Sequence, residues 1–326
     1  MSHVLAQSST PADQNSAILK EVDAAWSNRK KSIQSIEVEA EIDRIIKGRG
    51  VRGGARARKE IDPLRSAEPV NDLLSKATLT YAISGLKVGS TYQSARVVDL
   101  NNPDATTSLF SQFVFDGKAN SQLTDYGGIQ IVTIKESEKA DGHAYANAAA
   151  APIGLLLDPK RVLVEAGWQV DDMAVDALDV KTDDGARYAT LKIVRKSPDW
   201  TSHMDVDPKY AFAPVRWETW YKGKPASSYM IQYEQDGKTQ PLVRGWTYTR
   251  HDETGNLEVV CQGRVSVIKI NEPVDDRRFT MTFRKGARIV KEDAKGRPSY
   301  FHQTDKGLLP VEKDKFSPPL VRKPLL

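Results

Sequence analysis

The sequence predicts an α+β chain that is mostly antiparallel β, with one leading helix and a helical interruption in the middle. Three observations predict it. Between Asp205 and about Lys291 one alternating segment follows another, separated by turn residues, with almost no helical period. Ahead of all strands, Ile18, Leu19, Val22, Ala25, Trp26 and Ile33 recur at helical spacing. Residues 144–168 then break the strand pattern with small and apolar side chains, including Pro152-Ile-Gly-Leu-Leu-Leu-Asp-Pro.

Taken in order, residues 1–15 read as a polar lead. Val4-Leu5-Ala6-Gln7 resembles the end of a signal peptide, without the charged and apolar regions that normally precede it. Ser16 is a suitable N-cap for an amphipathic helix running through Lys31. Ser35 to Ile45 alternates strictly, Ile36, Val38, Ala40 and Ile42 on one face and charges on the other, which is a half-buried strand. Lys47-Gly-Arg-Gly-Val-Arg-Gly-Gly-Ala-Arg-Ala-Arg-Lys then reads as a solvated loop, and Val70–Lys76 as a short helix. Alternation resumes in 77–85, 92–100, 107–118 and 129–135, with turn signals at Asp116-Gly117 and Gly127-Gly128. Residues 160–168 suit a helix closed by Gly167. Strands return at 172–180 and 186–195 around Asp183-Asp-Gly, and then at 215–221, 228–234, 242–250 and 257–270. From Asp293 the composition turns basic and proline-rich, ending in Ser317-Pro-Pro-Leu-Val-Arg-Lys-Pro-Leu-Leu, which predicts an extended tail.

Bulk properties narrow the classes. With 326 residues, 40% hydrophobic content and a mean hydropathy of −0.49, the chain has material for a real core. No run reaches the roughly eighteen apolar residues that a spanning helix needs. A formal charge of +4 is too weak to predict nucleic-acid binding. The Gly/Arg loop lacks interleaved aromatics on which bases would stack. Its Arg49, Arg52, Arg56 and Arg58 are instead candidates for an anionic headgroup. The lone Cys261 rules out an intrachain disulfide and sits in an alternating strand, where it reads as a small buried hydrophobe.

Chemistry is sparse. His203, Asp205 and Asp207 share one side of an extended segment but have no second ligand cluster, so no metal and no cofactor is expected. Asp171-Asp172, Asp183-Asp184 and Asp275-Asp276 are sequence neighbours that point to opposite faces, not acid/base pairs. A nucleophile elbow and a phosphate-cradling loop are both missing, so no catalytic residue is assigned. Aromatic side chains crowd the late hairpins: Trp217, Tyr229, Tyr233, Trp246 and Tyr248 suit either cross-strand packing or an apolar trough for a greasy ligand.

Two stretches carry a family resemblance: Asp207-Pro-Lys-Tyr-Ala-Phe-Ala-Pro-Val-Arg-Trp-Glu, and Ile270-Asn-Glu-Pro-Val-Asp-Asp-Arg-Arg-Phe-Thr-Met-Thr-Phe-Arg-Lys-Gly-Ala-Arg-Ile-Val. With the order helix, strands, helical interruption, strands, they resemble the LolA/LolB/RseB class of bacterial envelope proteins. The nearest likeness is to planctomycete outer-membrane lipoprotein-sorting-like proteins. The last strand of such proteins commonly reads Phe-Thr-hydrophobic-x-Phe-Pro-x-Gly-Thr-x-Val. Phe279, Phe283, Gly286, Val290 and Asp293 keep that outline, whereas Arg284 and Ala287 depart from it.

The resemblance implies an open, curved half-barrel sheet over residues 16–292, its concave face covered by internal helices, between a 1–15 lead and a 293–326 tail. It implies non-enzymatic binding of an acyl lipid or lipoprotein, with a periplasmic or envelope location, a cytoplasmic one being the alternative. The expected contacts are Leu155, Leu156 and Leu157 as a removable cover and Trp217, Tyr229, Tyr233, Trp246 and Tyr248 as the concavity. One alternative is an RseB-like module that binds an envelope protein and has a filled core. Another is an envelope hydrolase built on His203 and Asp205.

Overall fold

A computed structural model describes residues 11–47, 72–99, 102–126, 128–140, 150–181, 187–194, 197–235, 240–313 and 316. Helix α1 (Pro11–Ser32) precedes β1 (Ser35–Ile46), β2 (Leu73–Ser84), β3 (Lys87–Asp99), β4 (Asn102–Phe115), β5 (Ala119–Tyr126) and β6 (Ile129–Glu136). Helices α2 (Ala151–Leu157) and α3 (Pro159–Glu165) follow. Next come β7 (Gln169–Lys181), β8 (Arg187–Val194), β9 (Trp200–Asp207), β10 (Ala213–Tyr221), β11 (Lys224–Gln235), β12 (Pro241–His251) and β13 (Leu257–Ile270). The chain ends in β14 (Arg288–Glu292), β15 (Pro298–Thr304) and β16 (Gly307–Val311).

These strands form one open curved sheet in the order β16-β15-β14-β6-β5-β4-β3-β2-β1-β13-β12-β11-β10-β9-β8-β7. Strand β1 lies at its centre, between β2 and β13. Among the described residues every strand pairing is antiparallel except that of β6 with β14.

The two-residue pleat decides what each face carries. Ile36, Val38, Ala40 and Ile42 of β1 are buried on the concave face, as their spacing predicts. Their neighbours across β2 are Ile83, Tyr81, Leu79 and Ala77. The same face of β8 and β9 supplies Ala189, Leu191, Ile193, Met204 and Val206. Val22 and Trp26 of α1, all of α2, and Val162 and Leu163 of α3 fill the concavity, and the whole forms one core cluster.

The convex face is covered by the chain itself. After β13 the segment 271–287 crosses the back of β1 to β6. Phe279 packs there with Ala82 and Val114, while Met281 and Phe283 border a second cluster of Leu123, Val132 and Ile289. Arg278 donates to Glu37 (Nε to Oε1, 2.7 Å) and Glu39 (Nη2 to Oε1, 2.7 Å) on the charged side of β1. This crossing explains the one parallel pair: the chain traverses the sheet before β14 joins it beside β6.

Four expectations are corrected. The helix begins at Pro11 rather than Ser16, proline being tolerated in a first turn where its missing N–H has no partner. Residues 73–76 are strand, not helix, because Leu73 to Lys76 pair with Ile46 to Asp43 and the ladder overrides local preference. The Phe279–Val290 stretch is a strand only from Arg288; before that its alternation reflects side chains pressed onto the sheet from outside. Residues 298–311 of the expected tail form the β15–β16 hairpin on the sheet edge, Tyr300 opposite Val311. Residues 1–10 and 317–326 lie outside the described residues, as does the expected turn at Asp183-Asp184.

The crossing segment sits so close to β3 that a Cβ on Gly89 would fall 2.2 Å from the Arg278 carbonyl oxygen. Gly89→Ala is therefore expected to push the strap off the sheet and lower stability by about 1–3 kcal/mol. Urea denaturation against wild type checks this, Gly117→Ala being unsuitable as a control because of its positive φ.

Candidate ligand-binding face

Helix α1 is fastened over the concavity by its inner stripe. Trp26 Nε1 donates to the Phe212 carbonyl at 2.7 Å. One turn later, the buried Arg29 donates through Nη1 to the Leu156 carbonyl (3.2 Å) and through Nη2 to the carbonyls of Tyr210 (3.2 Å) and Ala211. The accepting turn is unusual: Ala211 and Phe212 take φ of 51° and 56°, left-handed conformations that cost non-glycine residues about 1–2 kcal/mol each. Burial lowers the Arg29 pKa, the field of Tyr233 opposing it. The guanidinium thus ties α1 to the β9–β10 turn and to the last turn of α2.

Every residue of α2 is buried, including Leu155, Leu156 and Leu157. The expected aromatics lie on the same face and pack against one another. Trp217 stacks on Tyr229 with centroids 5.5 Å apart, and Tyr229 meets Tyr248 at 4.6 Å. Trp217 Nε1 donates to Ser202 Oγ at 2.7 Å. Tyr233 Oη donates to the Pro214 carbonyl at 2.9 Å, and its ring lies 5.5 Å from that of Tyr210. Trp246 lies flat over Gly263, where a Cβ would fall 2.1 Å from the indole. Burial holds the Tyr229 and Tyr233 phenols above their usual pKa, so both are neutral hydrogen-bonding groups. The helix-covered part of the concave face is thus filled by side chains.

Beyond β2 the concave face changes. Across β3, β4, β5 and β6 the register aligns Tyr92, Ser111, Thr124 and Ile131 in one row. The next rows hold Leu109 and Ile129 on one side and Phe113 on the other. Tyr92 and Phe113 border the core, but Leu109, Ile129 and Ile131 belong to no core cluster among the described residues. Ile129 is 43% exposed and the other two are half-buried. Among the described residues the helices lie mainly against the other half, at β7, β10 and β12.

Between the filled half and this half lies a residue the sequence reading passed over. Arg44 has the same parity as Ile36 to Ile42, so it projects from the concave face while Glu37, Glu39, Glu41 and Asp43 project from the convex one. That parity was available in the alternating pattern. A single row runs across six strands: Trp217, Tyr229, Tyr248, Cys261, Arg44 and Ser75. Burial raises the pKa of Tyr92, and side-chain hydrogen bonds from Arg44 and Ser94 partly offset it. Burial likewise pushes the Cys261 thiol up, against the pull of Arg44 and Arg250, which keeps it from being a reactive thiolate.

The other candidates lie elsewhere. His203 is 4.9 Å from the Trp220 ring, centroid to centroid, and Asp205 accepts from Thr190 Oγ1 at 2.7 Å. Asp207 accepts from the Lys209 N–H at 2.8 Å and caps the turn after β9. Among the described residues no group of His, Cys, Asp and Glu is placed to hold a metal. Arg49, Arg52, Arg56 and Arg58 fall outside the described residues.

A scan against protein-family models and a search of curated proteins return no match. Solved structures do show likeness. A putative outer membrane lipoprotein-sorting protein domain from Vibrio parahaemolyticus is similar at 11% identity and a TM-score of 0.44, over 82% of this chain and 97% of that one. A DUF1329 family protein from Desulfovibrio piger is similar at 12% identity and a TM-score of 0.48, over 81% and 97%. A LolA superfamily protein from Nitrosomonas europaea is similar at 10% identity and a TM-score of 0.39, over 80% and 97%.

Removing the Arg29 guanidinium takes the donor from three carbonyls, those of Tyr210 and Ala211 at the strained turn and that of Leu156 in α2. Arg29→Met is expected to cost about 3 kcal/mol. Arg29→Lys should recover less than half, since an ammonium does not span the same fork. Equilibrium unfolding of both variants measures the difference.

Proposed function

We propose that this protein is a non-enzymatic binding module that takes a hydrophobic group, an acyl chain of a lipid or lipoprotein, on the open half of its concave face. The observation that supports this most is the half-exposed set of Leu109, Ile129 and Ile131, bordered by Tyr92 and Phe113, on a curved surface beside a filled core. An acyl chain laid there gains about 0.8 kcal/mol per buried methylene. Serine and threonine between the apolar positions leave the floor amphiphilic, which suits a chain that binds and leaves. An envelope location goes with this reading.

The reading differs from the expectation that Leu155, Leu156 and Leu157 form a removable cover over the aromatics. For a ligand to enter there, α2 would have to leave the core, break the Arg29 bond to Leu156 and expose Trp217, Tyr229 and Trp246. The filled half favours a second reading, a platform for an envelope protein partner, in which no lipid is carried.

Fluorescent fatty-acid uptake separates the two. Wild type is expected to bind the probe, and Ile131→Asp to weaken binding at least about tenfold with an unchanged melting temperature. No uptake by wild type, or full uptake by both Ile131→Asp and Leu109→Asp, contradicts the carrier reading and leaves the platform.

A further inference from the structure

Resting on the acyl-binding reading, we infer that Arg44 is the anchor for the anionic head of that ligand, a phosphate or carboxylate at the end of the open apolar floor. The position itself is informative. A guanidinium on the apolar face of a central strand is costly unless something compensates it. Here the four acids of β1 cannot do so, because pleat parity puts all of them on the opposite face. Three of those carboxylates are engaged by the strap and by β13: Arg278 holds Glu37 and Glu39, and Arg264 meets Asp43 at 3.4 Å.

What surrounds Arg44 is neutral and rich in donors. Tyr92 shares a side-chain hydrogen bond with Arg44 and a second with Ser94. Cys261 and Ser75 flank it on the neighbouring strands, with Tyr248 one strand further. Desolvation raises the phenol pKa of Tyr92 and of Tyr248, so both stay protonated donors. Glu258, whose charge reaches Tyr248, is taken by Arg250 Nε at 2.9 Å. Counting Arg44, Arg250 and Glu258, the patch keeps one net positive charge, and no carboxylate is paired with Arg44 among the described residues.

Two further facts point to an anion. Tyr92 links Arg44 to the open floor, being in the row that holds Ser111, Thr124 and Ile131, so head and tail sites are contiguous. The same end of the sheet is where the Gly/Arg linker is tethered, Lys47 Nζ meeting Asp72 at 2.7 Å across its two ends. Between those ends the sequence carries six Lys and Arg against three Asp and Glu. That net excess of cations in the chain attracts an anionic ligand to the protein.

The test measures calorimetric binding of dodecyl phosphate, dodecanol and inorganic phosphate to the full chain, as wild type, Arg44→Gln and Arg44→Lys. Dodecyl phosphate is expected to bind wild type about tenfold more tightly than dodecanol, the lower end of what a charge-assisted hydrogen bond contributes. Arg44→Gln should erase that preference while leaving dodecanol affinity unchanged, and Arg44→Lys should keep part of it. The lysine variant serves if the glutamine variant melts early, and its loss of all preference would count against the anchor. Equal binding of the two amphiphiles by wild type, or a preference that survives Arg44→Gln, overturns the anchor but leaves the acyl reading standing. Inorganic phosphate binding that depends on Arg44, with no amphiphile bound, keeps the anion site with free phosphate as its source and sinks the acyl reading. Binding of none of the three sinks both.

Discussion

An open sheet presents two faces, and in this chain both carry apolar side chains that water disfavours. Much of the architecture answers to that constraint. On the concave side three helices fill half of the hollow, with α2 buried along its whole length. On the convex side the chain folds back over itself, laying Phe279, Met281 and Phe283 against the strands. Glycine at position 89 is what lets the strap backbone come down onto β3. One stretch of the concave face, on β4 and β6, has apolar side chains that belong to no core cluster among the described residues, and the proposed function is placed there.

The helical filling is held by directional bonds as well as by burial. Trp26 and Arg29 stand one turn apart on α1 and reach three consecutive carbonyls, of Tyr210, Ala211 and Phe212. Two of those residues sit in left-handed backbone. Strain of that kind persists only where its surroundings over-determine it, and here the helix supplies the determination. The Leu156 carbonyl brings α2 into the same arrangement. This is why the cover is better regarded as part of the core than as a lid.

Much of the fold was legible because a pleat of period two and a helix of period 3.6 leave different marks. The alternation of Ile36 to Ile42, the stripe of α1 and the Asp116-Gly117 turn between β4 and β5 came through. The strap did not, since Phe279, Met281 and Phe283 alternate just as a strand does, although what they face is the back of a sheet rather than a pleat of their own. The helix expected at Val70–Lys76 failed because local preference was weaker than pairing with β1. At the site, composition singled out the aromatics, which the fold uses to fill the hollow. Arg44 was hidden in plain alternation: its parity could be counted, but the pairing of Glu258 with Arg250 and of Glu37 and Glu39 with Arg278 leaves no mark in the sequence. Leu109, Ile129 and Ile131 have no motif at all, and only the uneven spread of the helices sets them apart.

Photo-crosslinking with a fatty acid that carries a diazirine in its tail, followed by peptide mass spectrometry, tests the central claim most directly. The account expects label on β3, β4 and β6, around Tyr92, Leu109, Phe113 and Ile131. Label concentrated on Leu155, Leu156, Leu157 and Trp217 would contradict it, placing the ligand under α2 and making that helix a true lid.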